Sequence, residues 1–235
     1  MVTTPTAASA TATVVVSPAK AEASATATAP ATTATTTVTT KVVKSDIVSI
    51  CFADEDDIVD CICSVESFKG EAYKCGNWLV GYGQSRVRGH KVTPGTRISR
   101  DEAKAEMREY LKGVYRLLDT IKLRTPEQYI ACCMIAYSTG NGGFAKSAFA
   151  KAINSGKTPE ECVKVLGKGQ YVGVHKRRWL EAALFTGQVK LDDIRDLDIK
   201  RLYDIEESFY LPNGVKGDFD LSEEKVQAWL DRMRA

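Results

Sequence analysis

Three kinds of side chain in this sequence are equipped for chemistry: thiols, carboxylates at apolar junctions, and a short cationic run. The seven cysteines are Cys51, Cys61, Cys63, Cys75, Cys132, Cys133 and Cys162. Zinc would need thiols two to four residues apart, or histidines close by. Cys61-Ile62-Cys63 and the adjacent pair Cys132-Cys133 are spaced too tightly, and the only histidines, His90 and His175, lie far from both in sequence. An odd number of cysteines among apolar neighbours reads as buried thiols from a reducing compartment rather than a disulfide framework. No metal and no other cofactor is therefore expected. Glu66 stands between an apolar stretch and an aromatic–glycine segment, where a semi-buried carboxyl is suited to donating a proton. Lys176-Arg177-Arg178 is the longest basic run. Its charges could steer an anionic polymer, pair with a carboxylate in a cleft, or remain exposed helix cations doing neither.

These residues need elements to hold them, and the start signals for helices are clear. Ile58, Cys61, Ile62 and Val65 share one face at helical spacing, which predicts a first helix over Asp57–Val65 running into Glu66. Ser99-Arg100-Asp101-Glu102 is a capping box, followed by a stripe of Ala103, Met107, Tyr110, Leu111, Val114, Leu117, Leu118 and Ile121. Thr125-Pro126 and Thr158-Pro159 each open a further helix, with proline at the position where its missing N–H is no loss. Between the first helix and Ser99, the run Asn77-Trp78-Leu79-Val80-Gly81-Tyr82-Gly83 has the character of a short hairpin. Gly187 reads as a helix stop, and two more helices are expected beyond it: one around Asp192–Ile205, and one opened by Ser222 that lines up Val226, Trp229, Leu230 and Met233.

Composition divides the chain of 235 residues into three parts. Residues 1–44 hold 14 Thr, 12 Ala, three Pro and no aromatic residue, so they have little to bury against the entropy of ordering and read as a disordered tether. No basic region precedes an apolar stretch there, so a signal peptide is not expected. Residues 45–190 form the main domain, and 191–235 an acidic helical C-terminal extension. Charge is uneven: 45–65 carry −6, 66–190 carry +11 and the last 45 residues carry −5. A cationic centre suits a polyanion, either nucleic acid or an anionic wall polymer, or else is simply a solvated face. The sequence has no zinc finger and no aromatic ribonucleoprotein motif, so nucleic acid is not the expected partner. No apolar run is long enough to span a bilayer.

An ordered series of motifs carries a family resemblance. Glu66-Ser67-Phe68-Lys69-Gly70-Glu71-Ala72-Tyr73-Lys74-Cys75 followed by Trp78-Leu79-Val80-Gly81-Tyr82-Gly83 resembles the glutamate and GYG hairpin of phage-type lysozymes, glycoside hydrolase family 24. Val92 to Ala103, Leu123 to Tyr129, Ala136 to Gly140, Gly143 to Ser147 with Ile153 to Gly156, and Gly173 to Glu181 follow in the family's order. The resemblance covers about residues 57–187 and implies an α+β, mainly α, lysozyme-like fold with a small β-hairpin beside a helical lobe.

It also implies a reaction. Cleaving the β-1,4 bond between N-acetylmuramic acid and N-acetylglucosamine requires an acid for the leaving oxygen and a second group for the nucleophile or its water. Glu66 stands where the family keeps its general acid. Cys75 stands where an aspartate is common, and a neutral thiol is a poor base. Leu79 falls at the family's threonine, Gln84 replaces a histidine, and the hairpin is about two residues short. Two readings follow: a working hydrolase with Cys75 or Glu71 assisting Glu66, or a module that has lost hydrolysis and keeps a glycan groove. Tyr82, Phe144, Ser147 and Asn154 match segments that line or support the family's cleft, with Phe144 as core and Asn154 as a helix C-cap the structural alternatives. The resemblance further implies a phage-encoded protein acting on bacterial peptidoglycan from the host cytoplasm or a virion, with phage virion proteins as partners of the tether or extension.

Overall fold

The computed structural model describes residues 54–166, 174–211 and 219–235. The Ala/Thr-rich tract 1–44, Cys51 and Gly173 lie outside the described residues.

Helix α1 (Glu55–Val65) starts where Asp54 accepts a hydrogen bond from the Asp56 amide, and its first turn carries Glu55, Asp56 and Asp57. Negative charge there complements the helix dipole. Its buried face is broader than the expected stripe: Ile58, Val59, Ile62, Cys63 and Val65 go under, while Cys61 is half-buried. The helix stops at Glu66, whose backbone turns extended (φ −102°, ψ 135°) and feeds strand β1 (Lys69–Cys75). β1 pairs antiparallel with β2 (Asn77–Gly81), with Tyr73 opposite Leu79 and Cys75 opposite Asn77. A register shift between Lys69 and Tyr73 bends the ribbon. Two residues each form β3 (Arg86–Val87) and β4 (His90–Lys91), and these pair separately from the first hairpin.

The Ser99 capping box forms as expected and opens α2 (Arg100–Leu118). Its Glu102 carboxyl is held down at about 2 by the Ser99 amide first, with Arg88 and the Ser99 hydroxyl adding to it. Ala103, Met107, Leu111, Val114 and Leu118 are buried, whereas Tyr110 stays partly in solvent and Ile121 lies past the helix end. Helix α3 (Pro126–Thr139) is buried on every side from Gln128 to Ala136, as a helix enclosed by others must be. Two short helices follow, α4 (Asn141–Lys146) and α5 (Ala148–Asn154), because the Ser147 hydroxyl caps the Ala150 amide and restarts the chain. The Thr158 capping box yields only a short α6 (Pro159–Val163). Helix α7 (His175–Thr186) packs along α3 and ends at Gly187, whose φ of 76° is open to glycine without penalty.

The extension departs most from expectation. No continuous helix spans Asp192–Ile205: α8 (Leu191–Ile194) ends after one turn, and a 3-10 helix occupies Ile199–Tyr203. Asp198 supplies the physical reason, since its carboxylate bonds to the Lys200 amide and competes with a continuing ladder. After α9 (Glu207–Tyr210), Ser222 precedes α10 (Glu223–Arg234), which buries Val226, Trp229, Leu230 and Met233 as expected. These side chains join the main core. Trp229 lies 5.4 Å from Trp179 of α7, and Tyr210 lies 5.7 Å from it, ring centroid to centroid. The Trp179 indole N–H donates to the Asp220 carbonyl, and the Trp229 N–H to the Tyr210 hydroxyl. Cutting Trp229 to alanine should therefore lower unfolding stability by about 3 to 5 kcal/mol in a denaturant titration. A loss below about 1 kcal/mol would mean that the extension is only loosely attached.

Candidate active site

Glu66 is the C-cap of α1, and its amide donates to the Ile62 carbonyl at 3.0 Å. The carboxylate leaves the helix end beside the hairpin and meets the Arg177 guanidinium. The two partners differ in exposure: 25% of the Glu66 side chain reaches solvent, against 6% of Arg177. A buried guanidinium needs every donor satisfied, and Arg177 has partners on three sides. Its Nε donates to Glu181 at 2.8 Å and its Nη2 to the Met134 carbonyl of α3 at 2.8 Å, while Nη1 takes Glu66. Burial alone disfavours this charge, but Glu181 and Glu66 overcome it and hold Arg177 above its ordinary range. Arg178 pairs with the other oxygen of Glu181 and donates to Ser138 at 2.8 Å. Two guanidiniums and two carboxylates thus form a neutral quartet, open to water only at Glu66. Neither arginine is an exposed helix cation: both are buried, Arg177 pairing with Glu66 and Glu181, and Arg178 with Glu181.

The other expected site residues are dispersed. Cys75 is an exposed thiol at the end of β1, across a Gly76 turn (φ 70°) from Asn77. Tyr73, two residues before it on the same face of the strand, is half-buried, and its phenol is pushed up by that burial first and then by the charges of Glu66 and Cys75. Glu71 faces solvent and pairs weakly with Arg97 at 3.4 Å. Leu79 packs opposite Tyr73. Gln84 is buried and joins the hairpin to α2: its Oε1 accepts from the Tyr82 amide at 2.7 Å, and its Nε2 donates to the Ala103 carbonyl at 2.9 Å.

Two of the residues matched to the family's cleft are buried. Phe144 is fully buried and sits edge-on to Phe149, so its ring packs the core and presents no face to a sugar. Tyr82 is 3% exposed, stacked at a tilt on Phe68, and its carbonyl accepts the Tyr137 hydroxyl at 3.0 Å; it props the hairpin from beneath. The Ser147 hydroxyl is used as the α5 cap, and Asn154 is an exposed last helical residue, with Ser155 taking the C-cap position. Sequence reasoning gave no role to Tyr137, although burial and then the Glu66 charge raise its phenol. The Arg177–Glu181 spacing of four on a helix was the legible signal for the quartet. Among the described residues, no cluster of three or more His, Cys, Asp or Glu side chains could hold a metal ion.

The quartet implies an order of stabilities. Arg177→Ala removes one of the two guanidiniums that meet the wholly buried Glu181 and takes the donor from the Met134 carbonyl, and should cost about 3 to 5 kcal/mol. Glu66→Gln leaves Arg177 its contacts to Glu181 and Met134, so it should cost about 1 kcal/mol or less. Equal losses in denaturant titrations would refute this division of labour.

The phage lysozyme family model matches residues 63–181, a stretch that contains Glu66, the hairpin, α2, α3 and the Arg177–Glu181 pair. An endolysin from Acyrthosiphon pisum secondary endosymbiont phage 1 is 35% identical, over 51% of this chain and 88% of its own. A P22 lysozyme mutant structure superimposes with a TM-score of 0.46 and 21% identity, covering 57% of this chain and 97% of that one. The endolysin of Escherichia coli O157:H7 phage FAHEc1 gives 0.45 and 26%, over 57% and 92% of the two chains. With a family match over half its length and a 35% identical endolysin covered over 88% of its own, this chain belongs to the phage lysozyme family.

Proposed function

We propose that the protein is a muramidase that cleaves the β-1,4 bond between N-acetylmuramic acid and N-acetylglucosamine in bacterial peptidoglycan, with Glu66 as general acid. The observation that carries this reading is the one-sided opening of the quartet: Glu66 alone is partly exposed, while Arg177 behind it is closed to water. Glu66 gives its proton to the leaving glycosidic oxygen as the bond to the sugar carbon breaks. Taking up that proton breaks the Glu66–Arg177 ion pair and giving it away restores the pair, so Arg177 stabilises the carboxylate left behind. The second role, placing the water that adds to the sugar carbon, falls to the hairpin face that carries Tyr73 and Cys75. A thiol does this less well than a carboxylate, which makes the enzyme slow rather than inert.

The family's phage relatives support a phage-encoded enzyme that works at the host cell wall. The tract 1–44 serves on this reading as a tether to a virion protein. Deleting it should abolish incorporation into particles and leave cleavage of isolated sacculi unchanged; normal incorporation would refute the tether.

The test of the active site is release of new reducing ends from purified sacculi, with pelleting onto the same sacculi measured alongside. Glu66→Gln should cut release by roughly a thousandfold or more and pellet as the wild type does. Cys75→Asp should raise release by about tenfold to a hundredfold. Release that survives Glu66→Gln would overturn the assignment, and wild-type pelleting without any release would make the chain a wall-binding module.

A further inference from the structure

The C-terminal extension reaches the back of the proposed catalytic glutamate. Tyr203, in the 3-10 helix, donates its hydroxyl to the Val65 carbonyl at 2.8 Å. That carbonyl belongs to the peptide unit whose nitrogen is Glu66, and the Glu66 N–H on the same unit donates to Ile62. Carbonyls in the last turn of a helix have no partner within the helix, so Val65 would otherwise depend on water. With both polar atoms of this unit engaged, the plane from which Glu66 projects is fixed.

Tyr203 is itself held from the neighbouring helix. The Lys176 ammonium donates to the Tyr203 carbonyl at 2.7 Å and also to the Ile205 carbonyl. Lys176 is adjacent to Arg177, the residue that grips the Glu66 carboxylate. A closed circuit results, from Glu66 to Arg177, along α7 to Lys176, across to Tyr203, and back through Val65 to Glu66. The family match ends at residue 181, so Tyr203 lies outside the stretch that defines the family.

We infer that Tyr203 is a positioning residue for the glycosidase reaction, through which the extension orients Glu66 by fixing the peptide unit before it; this rests on Glu66 being the acid. General acid catalysis depends on geometry at the level of about an ångström. Freeing the backbone under Glu66 therefore affects the chemical step and leaves substrate binding intact.

The experiment uses the full chain and compares Tyr203→Phe, Tyr210→Phe and Glu66→Gln with the wild type on purified sacculi, well below each melting temperature. Tyr210 makes the same kind of bond within the same extension, its hydroxyl donating to the Leu202 carbonyl at 3.0 Å, and it serves as the control for general loosening. Tyr203→Phe should lower kcat about fivefold to thirtyfold with apparent KM and pelleting within twofold of wild type. Tyr210→Phe should lower the melting temperature at least as much and leave kcat within twofold. Wild-type kcat in Tyr203→Phe, or equal kcat losses in both tyrosine variants, overturns the inference while Glu66→Gln remains inactive. Activity in Glu66→Gln overturns the reading of the site, and the inference with it.

Discussion

A guanidinium taken out of water must be met by opposite charge and by hydrogen-bond acceptors, and Arg177 imposes that requirement on the elements around it. Its three partners come from three different elements: Glu66 at the end of α1, Met134 on α3, and Glu181 one turn further along α7. Satisfying them sets the distances between those elements more narrowly than apolar packing alone would. The buried faces of α3 and α7 supply most of the driving force, yet they are tolerant of small shifts, whereas hydrogen-bond geometry is not. Glu66 sits at the rim of this arrangement, the one member of the quartet that water reaches.

Part of the charge asymmetry of the sequence is met within the molecule. The acidic first helix lies against the basic α2: Lys104 pairs with Asp60 at 2.8 Å, and Arg108 pairs with Asp56. Arg195 of the extension reaches Asp57 at 3.2 Å. Exposed pairs of this kind contribute little each, but together they show that segment charges need not signal a polyanion. The aromatic cluster around Trp179 is a stronger tie, since it joins α7 to α9 and α10 through buried rings and through indole donors that find acceptors.

Much of the fold was readable because it rests on local rules. The Ser99 capping box, Pro126 at a helix start, Gly187 at a helix stop and the face of Val226, Trp229, Leu230 and Met233 all appear as their residue types dictate. The long helix expected after Asp192 failed on a competing local rule, the preference of Asp198 to cap an amide. The candidate site was legible only in part. Glu66 could be named through the family resemblance and the basic run from its composition, but which of three fates awaited Arg177 depended on burial, which one sequence does not reveal. Phe144 illustrates the converse: an aromatic ring suits a sugar and a core equally well, and its neighbour Phe149 settles the matter. Tyr203 carried no local signal, because its role is created by a contact 138 positions away in sequence.

The hairpin has a base and a tip with very different freedoms. At the base Gly81 takes φ 65°, and a methyl group there would come within 2.3 Å of the Gln84 Oε1 that holds the Tyr82 amide. At the tip Cys75 and Gly76 meet solvent, with no packing to lose. A side chain at position 81 would displace the Gln84 amide and strain the backbone at once, so the base admits little change. Position 75 is free to drift under selection on chemistry alone. A lineage can therefore exchange the side chain at the tip without disturbing the frame that carries it.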